Sequence, residues 1–332
     1  MVVPMESVRL EHQALFVTLL IFLVIFYWIS TRLSIQKIYN EGVYTGEHRL
    51  EDVVKLPDRA KAGIKRGKEK LSNSRLIIAG CLRDRADHIP KIIQMTERMG
   101  KLAMDYRILV VENDSSDSTR KELLNWNKKN NKVEVLGCGV NTSECKLKLQ
   151  RTYQWDVNRT RMDKMRLIRE IYLDRVKKAY SDWDYILVWD YDLEGNLYWE
   201  GVCHAASLLE NKTVAVAAYG HYTFFTGRHY YDPFAYVPLN TKEIDEDIVI
   251  VRKPDKLFWN LRLSPGQTSP CLSAFAGAAL YSIPAVVQSS YKLQSTDDPL
   301  ECEHVTFSRR LPGKILVDGS MFFPVLENPR FV

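Results

Sequence analysis

Beyond residue 75 the chain alternates short, continuous apolar runs with stretches in which apolar residues recur every three or four positions. Arg75-Leu-Ile-Ile-Ala79 is too short for a helix and reads as a buried strand. Ile89 to Arg98, with Pro90 in its first turn, predicts a helix. Tyr106 to Val111 predicts a second strand; Thr119-Arg-Lys-Glu122 then has capping-box spacing and opens a helix running through Trp126. Lys132 to Leu136 is a third strand. After a long connection, Met162 to Ala179 carries Met165, Ile168, Tyr172 and Val176 at helical spacing, and Tyr185-Ile-Leu-Val-Trp189 forms a fourth strand. Strands alternating with helices predict an α/β domain with a Rossmann-like, mostly parallel central sheet flanked by helices. In such sheets ligands bind outside the carboxyl ends of the strands. There is no internal repeat or low-complexity segment.

Before this domain, Ala14 to Ile29 is apolar apart from Thr18 and ends in a Tyr-Trp pair suited to a membrane interface. It is short beside the ~20 residues of a full span. Tyr27-Trp28-Ile29 offers no small-residue cleavage pattern, so an uncleaved signal anchor is the expectation. Residues 1–13 are then a short tail, 14–31 a transmembrane anchor, 32–74 a stem without sustained periodicity, and 75–332 the folded domain. The stem carries Arg59, Lys61, Lys65, Arg66, Lys68 and Lys70, read as a solvated basic face. Arg32 and Lys37 follow the span, and only Arg9 precedes it among its near cations, which leans against a lumenal carboxyl terminus. Asn141-Thr-Ser, Asn158-Arg-Thr and Asn211-Lys-Thr are glycosylation acceptor patterns, usable only in a lumen. The expected location is a Golgi or ER membrane with a lumenal domain, the orientation being left open by these opposed signals.

Composition narrows the class without naming the chemistry. At 332 residues, 46% hydrophobic and 26% charged, the chain can bury a real core, and its net charge of +5 is modest. No basic surface interleaved with aromatics argues for nucleic acid. The six cysteines form no C-x-x-C pair, which removes the usual zinc arrangement. Cys138 with Cys145, or Cys271 with Cys302, could pair in a lumenal enzyme; buried free thiols are the alternative.

The chemistry-bearing residues fall at strand ends. The second strand runs into Glu112-Asn113-Asp114-Ser115-Ser116-Asp117-Ser118 and the fourth into Asp190-Tyr191-Asp192, so both acidic loops open on one edge of the sheet. Paired carboxylates there suit a hard divalent cation, Mn²⁺ or Mg²⁺, with coordination sites left for phosphate. The first loop can meet ribose hydroxyls or a base edge, or serve as an Asx-rich turn capping the next helix.

These segments together resemble the GT-A glycosyltransferases, and within them the fungal capsule-associated α-1,3-mannosyltransferases. The resemblance covers roughly Leu76 to Glu303. It rests on Leu76-Ile-Ile-Ala-Gly-Cys-Leu-Arg-Asp84 with Pro90, on Val110-Val-Glu-Asn-Asp-Ser-Ser-Asp-Ser-Thr119, and on the basic helix Arg161-Met-Asp-Lys-Met-Arg-Leu-Ile-Arg169. In that helix Glu170 stands where an Asn is more usual. It rests further on Asp190-Tyr-Asp192, Tyr230-Tyr-Asp-Pro-Phe-Ala235, Ser273-Ala-Phe-Ala-Gly-Ala-Ala-Leu-Tyr281 and Glu301-Cys-Glu-His304. The resemblance implies a nucleotide-sugar-binding half, 75–195, and an acceptor-binding half, 196–332. It places Arg83, Glu112, Asn113, Asp114, Arg161, Lys164, Arg169, Asp190 and Tyr191 on the nucleotide-sugar, and Asp190, Asp192 and His304 on the metal. Glu303, Asp298 and Asp232 are the catalytic or acceptor-facing carboxylates, with Glu301 and Asp297 as competitors.

The expected function is metal-dependent transfer of a sugar, mannose from GDP-mannose with retention, onto a glycan acceptor. Three alternatives stand beside it: a UDP-sugar donor on the same fold, a silent membrane-anchored lectin or assembly partner, and a metal-dependent nucleotidyltransferase using Arg83 and Arg85.

Overall fold

The computed structural model describes residues 16–29, 49–137, 159–193, 195–224, 227–232, 234–239, 261–293 and 301–324. Helix α1 covers residues 16–29. After it come α2 (Asp58–Ser72), β1 (Arg75–Leu82), α3 (Ile89–Gly100), β2 (Asp105–Glu112), α4 (Thr119–Lys129), β3 (Val133–Gly137), α5 (Arg159–Ala179) and β4 (Tyr185–Trp189). The second half holds α6 (Trp199–Leu208), β5 (Thr213–Phe224), β6 (Gly227–Tyr230), β7 (Val237–Pro238), β8 (Thr268–Ser273) and β9 (Ala278–Ser282). It closes with α7 (Ile283–Val286), α8 (Glu303–Ser308) and β10 (Lys314–Pro324).

Among the described residues the strands form one sheet in the order β3-β2-β1-β4-β9-β5-β10-β8-β7, with β6 paired to β5. Strands β3, β2, β1 and β4 are mutually parallel, as the alternation predicts. The rest is not: β9 runs antiparallel to both β4 and β5, β8 antiparallel to β10, and β7 antiparallel to β8. The expectation of a mostly parallel sheet is therefore corrected to a mixed one. The cause is connectivity, because helical crossovers serve the first four strands whereas a turn at Ala276-Gly277, both at positive φ, leads directly into β9.

Both faces of the parallel half are covered, which is why its strands read as unbroken apolar runs. Ile77, Ala79, Leu109 and Val111 pack with Ile168, Tyr172 and Val176 of α5. On the other face Leu76, Ile78, Ile108 and Val110 meet Ile92 and Met95 of α3, Leu123 and Trp126 of α4, and Val202 and Ala206 of α6.

Two local expectations also change. Residues 58–72 of the expected stem form a helix that packs on α6 through Ala60, Gly63, Gly67 and Leu71, a stripe too small and weakly apolar to register as periodicity. The N-cap of α4 is Ser118 without a side-chain cap bond; the Thr119 N–H donates instead to Asp117 at 2.9 Å, and the Thr119 hydroxyl accepts from the Arg85 N–H at 2.8 Å. Among the described residues no helix is long and apolar enough to cross a membrane. The large apolar side chains of α1 are nevertheless exposed, Phe16 at 69% and Phe26 at 72%.

Candidate functional site

The site gathers at the carboxyl edge of the parallel strands. Leu82 of β1 pairs with Glu112 of β2, and the Asn113 N–H donates to the Leu82 carbonyl at 3.2 Å, so Arg83 and Asn113 leave adjacent strand ends. The two following loops are tied together. Asp84 accepts from the Ser116 N–H at 2.5 Å and donates its own N–H to the Ser115 hydroxyl at 3.1 Å, while Asp117 accepts from the Ala86 N–H at 3.1 Å. Asp84 and Asp114 take positive φ. Much of the polar loop thus serves as its own scaffold, the turn reading of the sequence.

Glu112 belongs to that scaffold. It is wholly buried, accepting from the Ser115 N–H at 2.7 Å and from Arg120 Nε at 3.1 Å, which commits both carboxylate oxygens and corrects its expected contact with the nucleotide. Asn113 differs: at 4% exposure its Oδ1 has no hydrogen-bond partner among the described residues. Arg83 likewise keeps buried Nε and Nη2 without hydrogen bonds, its Nε lying 3.6 Å from Asp84. Unsatisfied buried donors and acceptors cost free energy, and both of these paired strand ends retain them.

Across the edge, β4 delivers Asp190, whose backbone N–H donates to the Gly277 carbonyl at 2.9 Å. Arg169 of α5, 3% exposed, donates from Nη2 to Asp190 at 2.8 Å and from Nε to Glu303 of α8 at 2.9 Å. Its third corner, Nη1, is buried without a hydrogen bond, and the guanidinium lies over the Phe275 ring at 5.1 Å. Asp232 sits nearby at positive φ, and Asp192 is exposed.

Charge in this cluster is unbalanced. Burial would raise the Glu303 carboxyl, but Arg169 and then His304 pull it down to about 2. Asp190 is pushed up to about 6 by burial, opposed by Arg169 and reinforced by Asp192 and Glu303. Asp232 is pushed up to about 7 by burial and by the charges of Asp190 and Glu303. One guanidinium cannot neutralise three neighbouring carboxylates. Burial also drives Cys81, on β1 beneath the same charges, up to about 12, which leaves an inert thiol.

That excess of negative charge suits a divalent cation. Asp192 and the second oxygen of Asp190 are hard ligands of the right kind, and a diphosphate supplies the remaining oxygens of such sites. Among the described residues no group of three or more His, Cys, Asp or Glu is arranged to hold a metal. His304 accordingly does not join the two aspartates. Its ring stacks on Phe275 at 3.7 Å between centroids, and its Nε2 lies 3.8 Å from Glu303. Burial and the Arg169 charge hold the imidazole well below its ordinary range, opposed by Glu303.

Tyr191 is a second correction. It is 1% exposed and edge-on to Trp189, filling the space over Gly80, where an added Cβ would lie 2.5 Å from its ring. Its side chain is core, not a donor contact. Lys164 is buried and Arg161 half-buried on α5, with Arg161 close enough to Tyr231 to act on its hydroxyl. Glu170, where the resemblance expects an Asn, is committed to the backbone and side chain of the segment after α7, its carboxylate accepting from the Tyr291 N–H at 2.7 Å and from the Ser290 hydroxyl at 3.0 Å. Asp297 and Asp298 lie outside the described residues, as do Cys138, Cys145, Asn141 and Asn158. The free thiols Cys271 and Cys302 are not bonded to one another. Sequence reasoning missed the Asp84–Ser116 and Asp117–Ala86 ties and the Phe275 wall; none carries a local signal beyond the loop's polarity.

No family model matches the sequence, and no curated protein matches it. Solved structures show low-identity likeness. The mannosyltransferase PcManGT of Pyrobaculum calidifontis, solved with GDP-Man and Mn²⁺, is 12% identical over 49% of this chain and 44% of its own, with TM-score 0.31. GalNAc-T7, solved with UDP, GalNAc and Mn²⁺, is 11% identical over 77% of this chain and 44% of its own, at 0.44. TarS 1-349 of S. aureus is 13% identical over 75% and 60%, at 0.39. The chain therefore spans 44% to 60% of the length of these structures. The ligands named there belong to those proteins.

Proposed function

We propose that the chain is a metal-dependent glycosyltransferase that moves a sugar from a nucleotide-sugar, GDP-mannose by the motif resemblance, to a glycan acceptor. The observation that carries this reading is the cluster of buried Glu303 with half-buried Asp190 and Asp232, three carboxylates that share the guanidinium of Arg169 and act on one another electrostatically. A divalent cation held by Asp190 and Asp192 would neutralise charge on the departing diphosphate. Arg83, Arg161, Lys164 and the open corner of Arg169 supply fixed cationic donors to the same group. Asn113 offers an acceptor to a base or ribose.

The two remaining carboxylates divide the work by environment. Glu303, held near 2, is a poor proton acceptor and orients Arg169. Asp232, raised to about 7, is the carboxylate that the motif resemblance assigns to the acceptor side. With retention, the departing phosphate takes the acceptor proton and Asp232 orients the hydroxyl.

Membrane attachment through residues 14–31, in the ER or Golgi, is supported by the exposed apolar side chains of α1. Incubating the full chain with Mn²⁺ and a panel of GDP- and UDP-sugars tests the transfer reading. Release of GDP from GDP-mannose, with retained anomeric configuration by NMR, is the expected result. Release from no donor sinks it.

A further inference from the structure

The basic residues of α2 stand outside the donor site, and their surroundings set them apart. Several cations elsewhere on the domain are paired, Arg75 with Asp182, Arg107 and Lys132 with Asp105, Arg175 with Glu134, and Arg309 with Glu301, while Lys121, Lys128 and Lys129 of α4 are exposed in a shorter run. On α2, Arg59, Lys61, Lys65, Arg66 and Lys68 are all exposed, and none has an anionic partner among the described residues. Arg59 lies against Gly266, and the Lys68 ammonium lies 5.5 Å over the Trp199 ring. At 100° per residue, Lys61, Lys65 and Lys68 fall within about 60° of one another, on the side away from the buried Ala60, Gly63, Gly67 and Leu71. Arg59 and Arg66 flank the outer face on its other side, against only Asp58 and Glu69. The small-residue stripe seats α2 on α6, so the charges are presented by a fixed element of the fold.

We infer that the outer face of α2 docks on an anionic bilayer surface and holds the domain against the membrane. Two observations select lipid over other polyanions. Although the half-buried Trp199 lies beneath Lys68, α2 itself carries no aromatic to stack successive bases. It also follows, in the same chain, the helix α1 whose apolar side chains are all exposed. An apolar segment followed by a cluster of lysines and arginines is the arrangement by which charged headgroups are recognised. The inference is independent of the transfer chemistry and uses the anchor reading only for proximity.

The full chain is floated with neutral phosphatidylcholine vesicles and with vesicles containing phosphatidylserine, and lysine reactivity toward a water-soluble amine reagent is read by mass spectrometry. The expected result is protection of Lys61, Lys65 and Lys68 on anionic vesicles alone, relieved by high salt, with the exposed Lys121 and Lys128 of α4 unchanged. Each cation at such a surface contributes about fivefold to partitioning, so K61Q/K65Q/K68Q lowers the anionic increment about a hundredfold. Flotation on both vesicles with equal lysine reactivity leaves the anchor standing and overturns the docking face. Flotation on anionic vesicles alone supports the face and removes the anchor, and flotation on neither overturns both. Protection by heparin without protection by anionic lipid also overturns it, in favour of a soluble polyanion.

Discussion

Arg169 Nη2 donates to Asp190 Oδ1 across 2.8 Å, joining the end of β4 to the middle of α5 between a buried guanidinium and a half-buried carboxylate. The same guanidinium reaches Glu303 through Nε, so α5, β4 and α8 converge on one planar cation. A lysine carries the charge but not the fork. Arg169→Ala leaves buried carboxylates unpaired and is expected to cost about 3–5 kcal/mol, enough to abolish folding of a marginal domain. Arg169→Lys should fold with a lowered Tm and lose about a hundredfold in kcat through misplaced carboxylates. Wild-type kcat in that variant removes the clamp from the mechanism.

Asp192 lies at the other extreme, exposed on the turn after β4. Truncating an exposed carboxylate leaves the core intact, within about 0.5 kcal/mol. Asp192→Ala is expected to melt like the wild type while losing Mn²⁺-dependent nucleotide release. A variant that turns over normally with Mn²⁺ would show that Asp192 holds no metal.

Asp232 sets a pH dependence with a definite sign. Its carboxyl is raised from 3.8 to about 7 by burial and neighbouring negative charge, so the folded state binds a proton that the unfolded state has released. Stability therefore falls as pH rises between those values. Asp232→Asn should flatten the metal-free Tm profile there and be the more stable protein at pH 8. An unchanged Tm profile in the variant contradicts the assignment.

Glu303 has the opposite sign. Arg169 holds it down to about 2 from 4.5, so its contribution is complete above 4.5 and is lost as pH falls toward 2. Glu303→Gln should be less stable than the wild type at pH 7, and the two should converge in acid. Parallel Tm curves for the two proteins from pH 7 to pH 3 would rule this out.

What could be read from the sequence follows from locality. Strands β1, β2 and β4 and helices α3 and α5 announce themselves because each buries a contiguous or periodic apolar set. Asp190 and Asp192 are visible as carboxylates directly after an apolar run, a pattern that also begins ordinary turns and gains weight only beside the acidic loop after β2. The direction of a side chain is not visible in the same way. Tyr191 lies between two site residues in sequence, yet Gly80 of a different strand opens the space that draws it into the core. Glu112 looks like a ligand contact until Ser115 and Arg120 take both its oxygens. The pairing of Arg169 with Glu303 spans 134 positions and has no local signature. The antiparallel half was hidden for a related reason, since β8 leads into β9 through a turn at Ala276-Gly277 and not through a helix whose periodicity marks a crossover.

Helix α2 escaped notice because its buried stripe is built from glycine and alanine, and that same feature makes it testable. Gly67 faces α6 so closely that an added Cβ would lie 1.6 Å from the Cys203 carbonyl oxygen. In an exposed helix, Gly→Ala is worth about 1 kcal/mol of added stability through backbone entropy. Here the obstacle is backbone, which cannot rotate aside, so α2 must move away from α6 and the overpacking cost of about 1–3 kcal/mol or more decides the sign. Gly67→Ala is expected to lower Tm and to speed hydrogen exchange in α2 and α6 ahead of the β1–β4 sheet. The exposed Ala62, on the same helix, supplies the control, because Ala62→Gly should destabilise by about 1 kcal/mol through propensity alone, with no change in exchange at α6. A Gly67→Ala protein as stable as the wild type would mean that α2 does not pack on α6 at this distance.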